Sequence, residues 1–174
     1  MPVSAAHNWA RVLTLAAVAA VLLSGCSIID DLANSGSGST STDGPKSDVF
    51  SVTVGDCLND ENSVGNDGTV TEVPIVDCAV SHDSEVIASQ KIDEGDGTFP
   101  GDNTVKVDAD RQCIAPFESF VGAALDTTAL DYTYYFPSEE SWGTGDREIL
   151  CVAYDPAGRV EGTLKDQGPK YPKP

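Results

Sequence analysis

The sequence predicts an α+β domain, in which an antiparallel sheet is packed by one kinked main helix and stapled by two disulfides. Strand-like segments outnumber the single segment with helical spacing. Strands and helix do not alternate strictly along the chain, which favours an antiparallel sheet. Five cysteines follow an export signal, and four remain once Cys26, next to that signal, is set aside. An even number in an exported chain implies disulfide bonds.

The first 25 residues have the organisation of a signal peptide. Arg11 precedes an apolar run over residues 12–23 that only Thr14 interrupts. A spanning helix needs roughly 20 apolar residues, so this run is too short to cross a bilayer and is typical of a secretion signal.

The residues after this run predict a lipid anchor at Cys26. Leu23-Ser24-Gly25-Cys26 resembles a bacterial lipobox, where the cysteine takes a diacylglyceryl group and the chain is cleaved before it. Two acyl chains hold a protein on a bilayer, since each buried CH₂ contributes about 0.8 kcal/mol. The alternative is an ordinary signal peptide with a chance cysteine. We expect a lipid-anchored protein on the extracytoplasmic face of the cell membrane, without a spanning helix.

The charge balance restricts the partners. The chain has 28 acidic and 10 basic residues, and the leader carries one base, Arg11, and no acid, so the mature net charge would be −19. Such a field repels phosphate backbones, so nucleic acid is not an expected partner. Cationic partners and divalent ions are compatible with it, but a solvated surface is the simpler explanation.

Composition divides the mature chain into three parts. Residues 26–47 form the lipidated N-terminus and a Gly/Ser/Thr-rich flexible linker. Residues 48–166 are long enough for one hydrophobic core. Residues 167–174 place prolines between lysines and are expected to be a short extended tail.

Periodicity and turn residues predict the elements of the domain. The first three are a strand at 50–54, an edge strand at 69–76 containing Pro74 and a strand at 85–92. A helix capped by Asp108 follows, then a strand at 130–136 and a capped turn or short helix at 137–143. The last are a central strand at 147–154, a turn at 155–158 and, at 159–164, the strand that pairs with 147–154 as a hairpin. Cys113, Phe117 and Phe120 share one helix face, and Pro116 must kink or restart that helix because it lacks an N–H.

The four cysteines of the domain are Cys57, Cys78, Cys113 and Cys151. They allow three pairings. We favour Cys57–Cys78 and Cys113–Cys151, because each pair brackets neighbouring elements. A zinc site would need reduced thiols, and the environment outside the cytoplasm, where disulfides persist, opposes reduction. We therefore expect no metal and no cofactor.

His82 is the one histidine outside the leader, and Cys78 and Glu85 lie close to it in sequence. A hydrolase triad is not expected, because the sequence has no Gly-x-Ser-x-Gly elbow. A metal site at His82 would need further ligands, and a Cys–His nucleophile would need Cys78 as a free thiol. We therefore predict no catalytic residue. His82 and Glu85 are interpreted as loop residues with a candidate binding role, His82 being hydrogen-bonded to a carboxylate or to backbone.

Trp142 and Arg147 are the other candidate binding residues. The simpler interpretation of Arg147 is an ion pair with Asp146 or Glu148 that braces the start of a strand. The functional interpretation is a Trp/Arg contact surface for a partner, since these residue types dominate binding hot spots.

Several short motifs occur in one order along the domain. They are Gly55-Asp56-Cys57, Val76-Asp77-Cys78 with His82 and Glu85-Val86, Cys113 with Phe117, Phe120, Val121 and Gly122, Pro137-Ser138, Ser141-Trp142, Gly145-Asp146-Arg147 and Cys151. This order resembles the septum formation domain of actinobacterial envelope proteins, which are often lipoproteins or carry a membrane span. The resemblance implies an exported envelope domain linked by name to cell division, and its cysteine positions fit two disulfides. It implies no reaction and no catalytic residues.

Three functions follow from these observations. We expect a non-enzymatic domain that binds envelope or division proteins. The first alternative is a cell-wall-acting hydrolase or sugar-binding module centred on His82, which requires His82 in a concave pocket with a second polar group in reach. The second is divalent-ion binding by the acidic loop 59–67, although this loop does not match an EF-hand.

Overall fold

A six-stranded antiparallel sheet forms the centre of the computed structural model, which describes residues 44–173 except 66–68, 94 and 96. The strands are β1 (Lys46–Asp48), β2 (Cys57–Leu58), β3 (Glu72–Val76), β4 (Ser84–Lys91), β5 (Asp131–Tyr135) and β6 (Glu148–Tyr154). Their spatial order is β1-β3-β2-β4-β6-β5. The predicted signal peptide, Cys26 and the linker through residue 43 lie outside the described residues.

Helix α1 (Asp102–Val121) packs on one face of this sheet. Its buried residues recur every four positions, which places them in one stripe along the helix; they are Val105, Ala109, Cys113, Phe117 and Val121. Gly122, with a φ of 73°, ends the helix in the left-handed conformation that glycine adopts readily. One main helix on an antiparallel sheet confirms the predicted α+β class.

The predicted N-cap at Asp108 is wrong, because the N-cap of α1 is Gly101, seven residues earlier. Gly101 precedes the first turn and offers no side-chain cap, so the start carries no capping signal in the sequence. Asp108 lies inside the helix, where its carboxylate accepts from Arg111 at 2.6 Å. The helix also continues through Pro116 to Val121 and does not restart there. Pro116 removes the amide that would donate to the carbonyl of Gln112.

Strand β6 lies between β4 and β5 and is buried on both faces, as its apolar sequence predicts. Ile149, Cys151 and Ala153 belong to the core beneath α1. Leu150 and Val152 belong to a second, smaller core on the opposite face. The period-2 alternation of a strand therefore divides β6 between two layers.

Two disulfides hold the sheet to its surroundings, with the predicted pairing. Cys57–Cys78 ties β2 to the loop after β3, and Cys113–Cys151 ties α1 to β6. The sequence separations are 21 and 38 residues, for which the chain-entropy model gives about 3 and 4 kcal/mol of stabilisation.

The first strand lies earlier than the sequence predicts. Residues 50–54 do not form a strand; Val49–Ser51 is a 3-10 turn, and β1 precedes it. The cause is Asp48, whose carboxylate accepts from the Phe50 amide at 2.9 Å while its carbonyl accepts from the Ser51 hydroxyl at 2.7 Å. These local bonds compete with strand pairing.

Strand β3 falls within the predicted strand at 69–76, but it is not an edge strand, because β1 pairs on its outer side. Pro74 instead limits the length of the ladder between β2 and β3. The Pro74 carbonyl accepts from the Asn59 amide at 3.0 Å, yet Pro74 has no N–H to return the bond. The ladder between β2 and β3 accordingly ends at Leu58.

Several later elements match their predictions. Strands β4 and β5 fall at the predicted positions. Helix α2 (Glu139–Gly143) begins at a capping box, in which the Ser138 and Ser141 side chains each accept from the other residue's backbone amide. The predicted turn at 155–158 closes with a bond from the Gly158 amide to the Asp155 carbonyl at 3.1 Å.

The segment after this turn does not return as a hairpin partner of β6. Both edges of β6 are already occupied by β4 and β5, so no edge is free. Val160 instead pairs with His82 through two backbone bonds of 2.9 Å. The chain therefore crosses to the loop before β4.

The described part of the predicted tail is packed and not extended. Gly168–Lys170 forms a 3-10 turn, and Thr128 pairs with Pro172. The buried Thr128 hydroxyl lies 3.1 Å from the carbonyl oxygens of both Gly168 and Tyr171. Among the described residues, no helix has the length and apolar character needed to span a membrane.

Candidate functional site

His82 lies fully buried between two segments of the domain. Its backbone pairs with Val160, and its ring Nδ1 lies 2.8 Å from the Val80 carbonyl oxygen. Because a carbonyl only accepts, Nδ1 carries the hydrogen. Nε2 is buried and has no hydrogen-bond partner among the described residues. His82 is thus bonded to backbone, which is one of the two partners considered from the sequence, and it presents no surface to a ligand.

Glu85 is also buried, at 4% exposure, and it holds the C-terminal segment. The Thr163 hydroxyl lies 2.9 and 3.0 Å from its two carboxylate oxygens, and the Leu164 amide donates to it at 2.8 Å. Ligand atoms of Glu85, Cys57 and Cys78 come within 4.8 Å of one another. The two sulfurs are bonded to each other, so this cluster offers a metal ion no thiolate.

Trp142 and Arg147 contact each other, as a pair between α2 and β6. The Arg147 guanidinium carbon lies 3.6 Å from the centre of the Trp142 ring, a cation–π contact. Trp142 is 4% exposed, and its ring N–H donates to the Gly97 carbonyl at 2.9 Å. Arg147 donates to the carbonyls of Trp142 and Asp146 at 2.8 and 2.6 Å. These contacts brace the start of β6 through backbone carbonyls.

A groove of about 1130 Å³ lies on the sheet face opposite α1. Leu150 and Tyr135, on neighbouring strands, belong to the second core and line this groove. Its walls come from the segments that flank the strands, including residues 48–50, 60–61, 69–71 and 155–156. None of the four binding residues predicted from sequence, His82, Glu85, Trp142 and Arg147, lines it.

The groove is strongly acidic. Of the 27 described residues that line it, eight carry a carboxyl group and one, Arg159, is basic. Across the whole chain, 28 of 174 residues are acidic, so carboxyl groups are concentrated in the groove by nearly twofold. The eight are Asp48, Asp60, Glu61, Asp83, Glu140, Asp146, Glu148 and Asp155.

Asp60 is fixed at the groove by two hydroxyl groups. Ser84 donates to one carboxylate oxygen at 2.8 Å, and the Tyr135 hydroxyl donates to the other. Burial, together with the charge of Asp60 and this hydrogen bond, raises the pKa of Tyr135 well above its usual value of about 10. Burial also raises the pKa of Tyr154. Both tyrosines therefore face the groove as neutral hydroxyl groups.

Asp83 is fixed by the one base of the groove. Arg159 Nε lies 2.7 Å from one of its carboxylate oxygens, and the Glu61 amide donates to the other at 3.1 Å. The charge of Arg159 is thus directed at a carboxylate of the same chain. By contrast, the Glu61 and Glu140 side chains are exposed at the rim.

A family comparison identifies the domain. Residues 54–168, well over half of the chain, match the family described as septum formation. The chain belongs to the septum formation family. The matched range holds all four disulfide cysteines and confirms the resemblance found in the sequence. No curated protein and no solved structure matches the chain significantly.

Sequence reasoning missed the groove in this septum formation domain because its carboxyl groups are spread from Asp48 to Asp155. The one acidic site predicted from sequence was a divalent-ion site in the loop 59–67. Asp60 and Glu61 of that loop do line the groove, whereas Asn66 and Asp67 lie outside the described residues. The overall excess of acid was the available signal, but it carries no information on position.

Proposed function

We propose that this septum formation protein is a lipid-anchored binding domain on the outer face of the cytoplasmic membrane, which serves cell division by holding a partner and not by catalysis. The observation that carries the proposal is the open, acidic groove on one sheet face. The family match supplies the link to septum formation.

The contacts of the predicted site residues support a non-catalytic role. His82 is fully buried and Glu85 is bonded to the C-terminal segment, so neither meets solvent as a general acid or base would need to. A hydrolase or sugar-binding module centred on His82 requires that ring in a concave pocket, and His82 does not line the groove. We therefore place partner binding ahead of that alternative.

The N-terminal sequence supports the anchor. Leu23-Ser24-Gly25-Cys26 directly follows a signal-like apolar run. Two acyl chains on Cys26 would retain the protein on the bilayer. The Gly/Ser/Thr-rich stretch after it would behave as a flexible tether that separates the domain from the membrane.

The anchor is tested with Cys26→Ser and a matched control, Ser27→Ala, in the native cell. We expect the wild-type protein and the control to gain the mass of a diacylglyceryl group and to sediment with membranes. Cys26→Ser should lose the lipid and the membrane association. An unmodified Cys26 in the wild-type protein, with the chain released into the medium, would overturn the anchor.

The division role is tested by depleting the protein and scoring septum placement by microscopy. We expect wild-type complementation to restore normal septa, and His82→Gln to restore them as well wherever the variant accumulates to wild-type levels. Loss of septa in a stably accumulating His82→Gln variant would instead favour the His82-centred enzyme.

A further inference from the structure

The groove carries more negative charge than its own residues neutralise. Arg159, the one base among the described lining residues, is already bound to Asp83. The Glu61 and Glu140 side chains stand exposed at the rim, and Glu148 is exposed as well. Low-dielectric walls lined by one sign of charge focus the field and attract the opposite charge. The groove is therefore complementary to a cation.

The carboxyl groups do not converge as the ligands of a metal ion must. A hard cation such as Ca²⁺ needs six to eight oxygens at about 2.3–2.6 Å. Among the described residues, the one group of three potential ligands that come close enough is Cys57, Cys78 and Glu85, away from the groove. The charges are instead spread along the groove, as suits a ligand whose positive charges are spread out too.

The groove also exposes apolar side chains. Phe50 is 68% exposed and Val64 is 59% exposed, and both line it. A single exposed apolar residue needs no explanation, but two in one acidic groove are suited to a ligand with apolar as well as charged groups. A volume of about 1130 Å³ lies slightly above the usual small-molecule range of about 300–1,000 Å³, which suits a peptide segment.

We propose that the groove binds an extended basic segment of a partner protein, with lysine or arginine side chains on the carboxylates and an apolar side chain against Phe50 and Val64. This inference rests on the proposed function as a binding domain and adds the chemistry of the partner. A second copy of this chain is a poor occupant, since its net charge is −18. Complementary charge would also speed association and reject acidic partners.

The test uses the full-length chain in detergent and a peptide of about eight residues with the repeat Lys-Lys-Val-Val, roughly 26 Å long when extended. This repeat places lysine and valine on both faces of the extended peptide. Isothermal titration should show binding that weakens as ionic strength rises from about 0.1 M to about 1 M, where the Debye length falls from about 10 Å to about 3 Å. The matching glutamate–valine peptide should not bind. Absence of binding at 0.1 M salt would overturn the proposal.

A charge-matched pair of variants locates the binding. Glu61→Gln with Glu140→Gln removes two charges from the rim, and Glu72→Gln with Glu161→Gln removes two from exposed positions outside the groove. We expect the rim variant to bind the lysine–valine peptide roughly two- to thirtyfold more weakly and the control to bind as the wild type does. Equal weakening in both would show attraction by net charge alone and would overturn the groove as the site.

A second pair tests the apolar contact. Val64→Ser lies in the groove, and Val54→Ser changes a similarly exposed valine outside it, at 54% exposure. Val64→Ser should weaken binding about two- to fivefold, and Val54→Ser should not. Equal affinities would overturn the apolar part of the proposal. If any of these binding tests fails while Cys26 is lipidated and septum formation depends on the protein, only the proposed chemistry of the partner is rejected. The proposed function as a lipid-anchored division protein then stays in place.

Discussion

The two faces of the sheet share the same strands but differ in what covers them. Ile149 and Cys151 of β6 meet α1, where they join an apolar core closed by a disulfide. Leu150, between them in sequence, faces the second core and lines an open acidic groove. Packing on one face stabilises the domain, and the other face remains available to a ligand. Substitutions on the two faces should therefore have different consequences.

The largest expected effect comes from the packed face. Phe117→Ala removes a fully buried ring of α1 and should lower the free energy of unfolding by about 3–5 kcal/mol through lost burial and a cavity. The control is Phe50→Ala on the groove face, which is 68% exposed and should cost less than about 0.5 kcal/mol. Urea denaturation measures both, and equal losses would contradict the division between the faces.

The two disulfides should contribute unequally to the free energy of unfolding, and the one in the packed core should contribute more. Replacing Cys113 and Cys151 with alanine removes the longer loop and a link inside the main core, and we expect a loss of about 4 kcal/mol. Replacing Cys57 and Cys78 should cost about 3 kcal/mol. Urea denaturation of the two double variants under identical conditions gives the order, and a larger loss for the second pair would contradict it.

Glu85 tests whether a residue predicted to bind a partner is structural. Glu85→Gln exchanges one acceptor oxygen for a donor facing the Thr163 hydroxyl or the Leu164 amide, and should cost about 1–3 kcal/mol of stability. The exposed Glu161→Gln is the control and should stay within about 0.5 kcal/mol of wild type. Thermal denaturation that leaves Glu85→Gln unchanged would show that these contacts contribute nothing.

The smallest expected effect lies on the groove face. Tyr135→Phe removes the hydrogen bond to Asp60 and should cost about 1 kcal/mol near neutral pH. Because the pKa of Tyr135 is raised in the folded protein, the tyrosine keeps its proton there while the unfolded chain loses it above about pH 10. Its contribution is present below that pH and declines above it. The difference in stability between wild type and Tyr135→Phe should therefore shrink above pH 10, and a constant difference would contradict the assignment.

The sequence predicts the elements whose signals are local. The apolar run of β6, the capping box of α2 and the order of the cysteines each fix one feature without reference to the rest of the chain. The prediction fails where a distant segment decides the structure. Val160 pairs with His82 because β6 has no free edge, and that fact belongs to the sheet topology.

The candidate site could not be predicted from the sequence for the same reason, because distant segments form it. His82 and Trp142 are prominent in the sequence because histidine and tryptophan are rare in it, yet both are used in packing. The groove depends on bringing Asp60 next to Ser84 and Tyr135, across 24 and 75 residues. Such proximity follows from the strand order and from no local pattern.

The most direct test of the difference between the two faces is an NMR titration of the isotope-labelled chain with the lysine–valine peptide. We predict that the amide signals of Glu61, Thr133 and Leu150, all at the groove, shift as the peptide is added. The amides of Val107 and Arg111, on the exposed side of α1, should stay in place. Shifts spread evenly over both faces, or concentrated on α1, would contradict a binding site on the open face of the sheet.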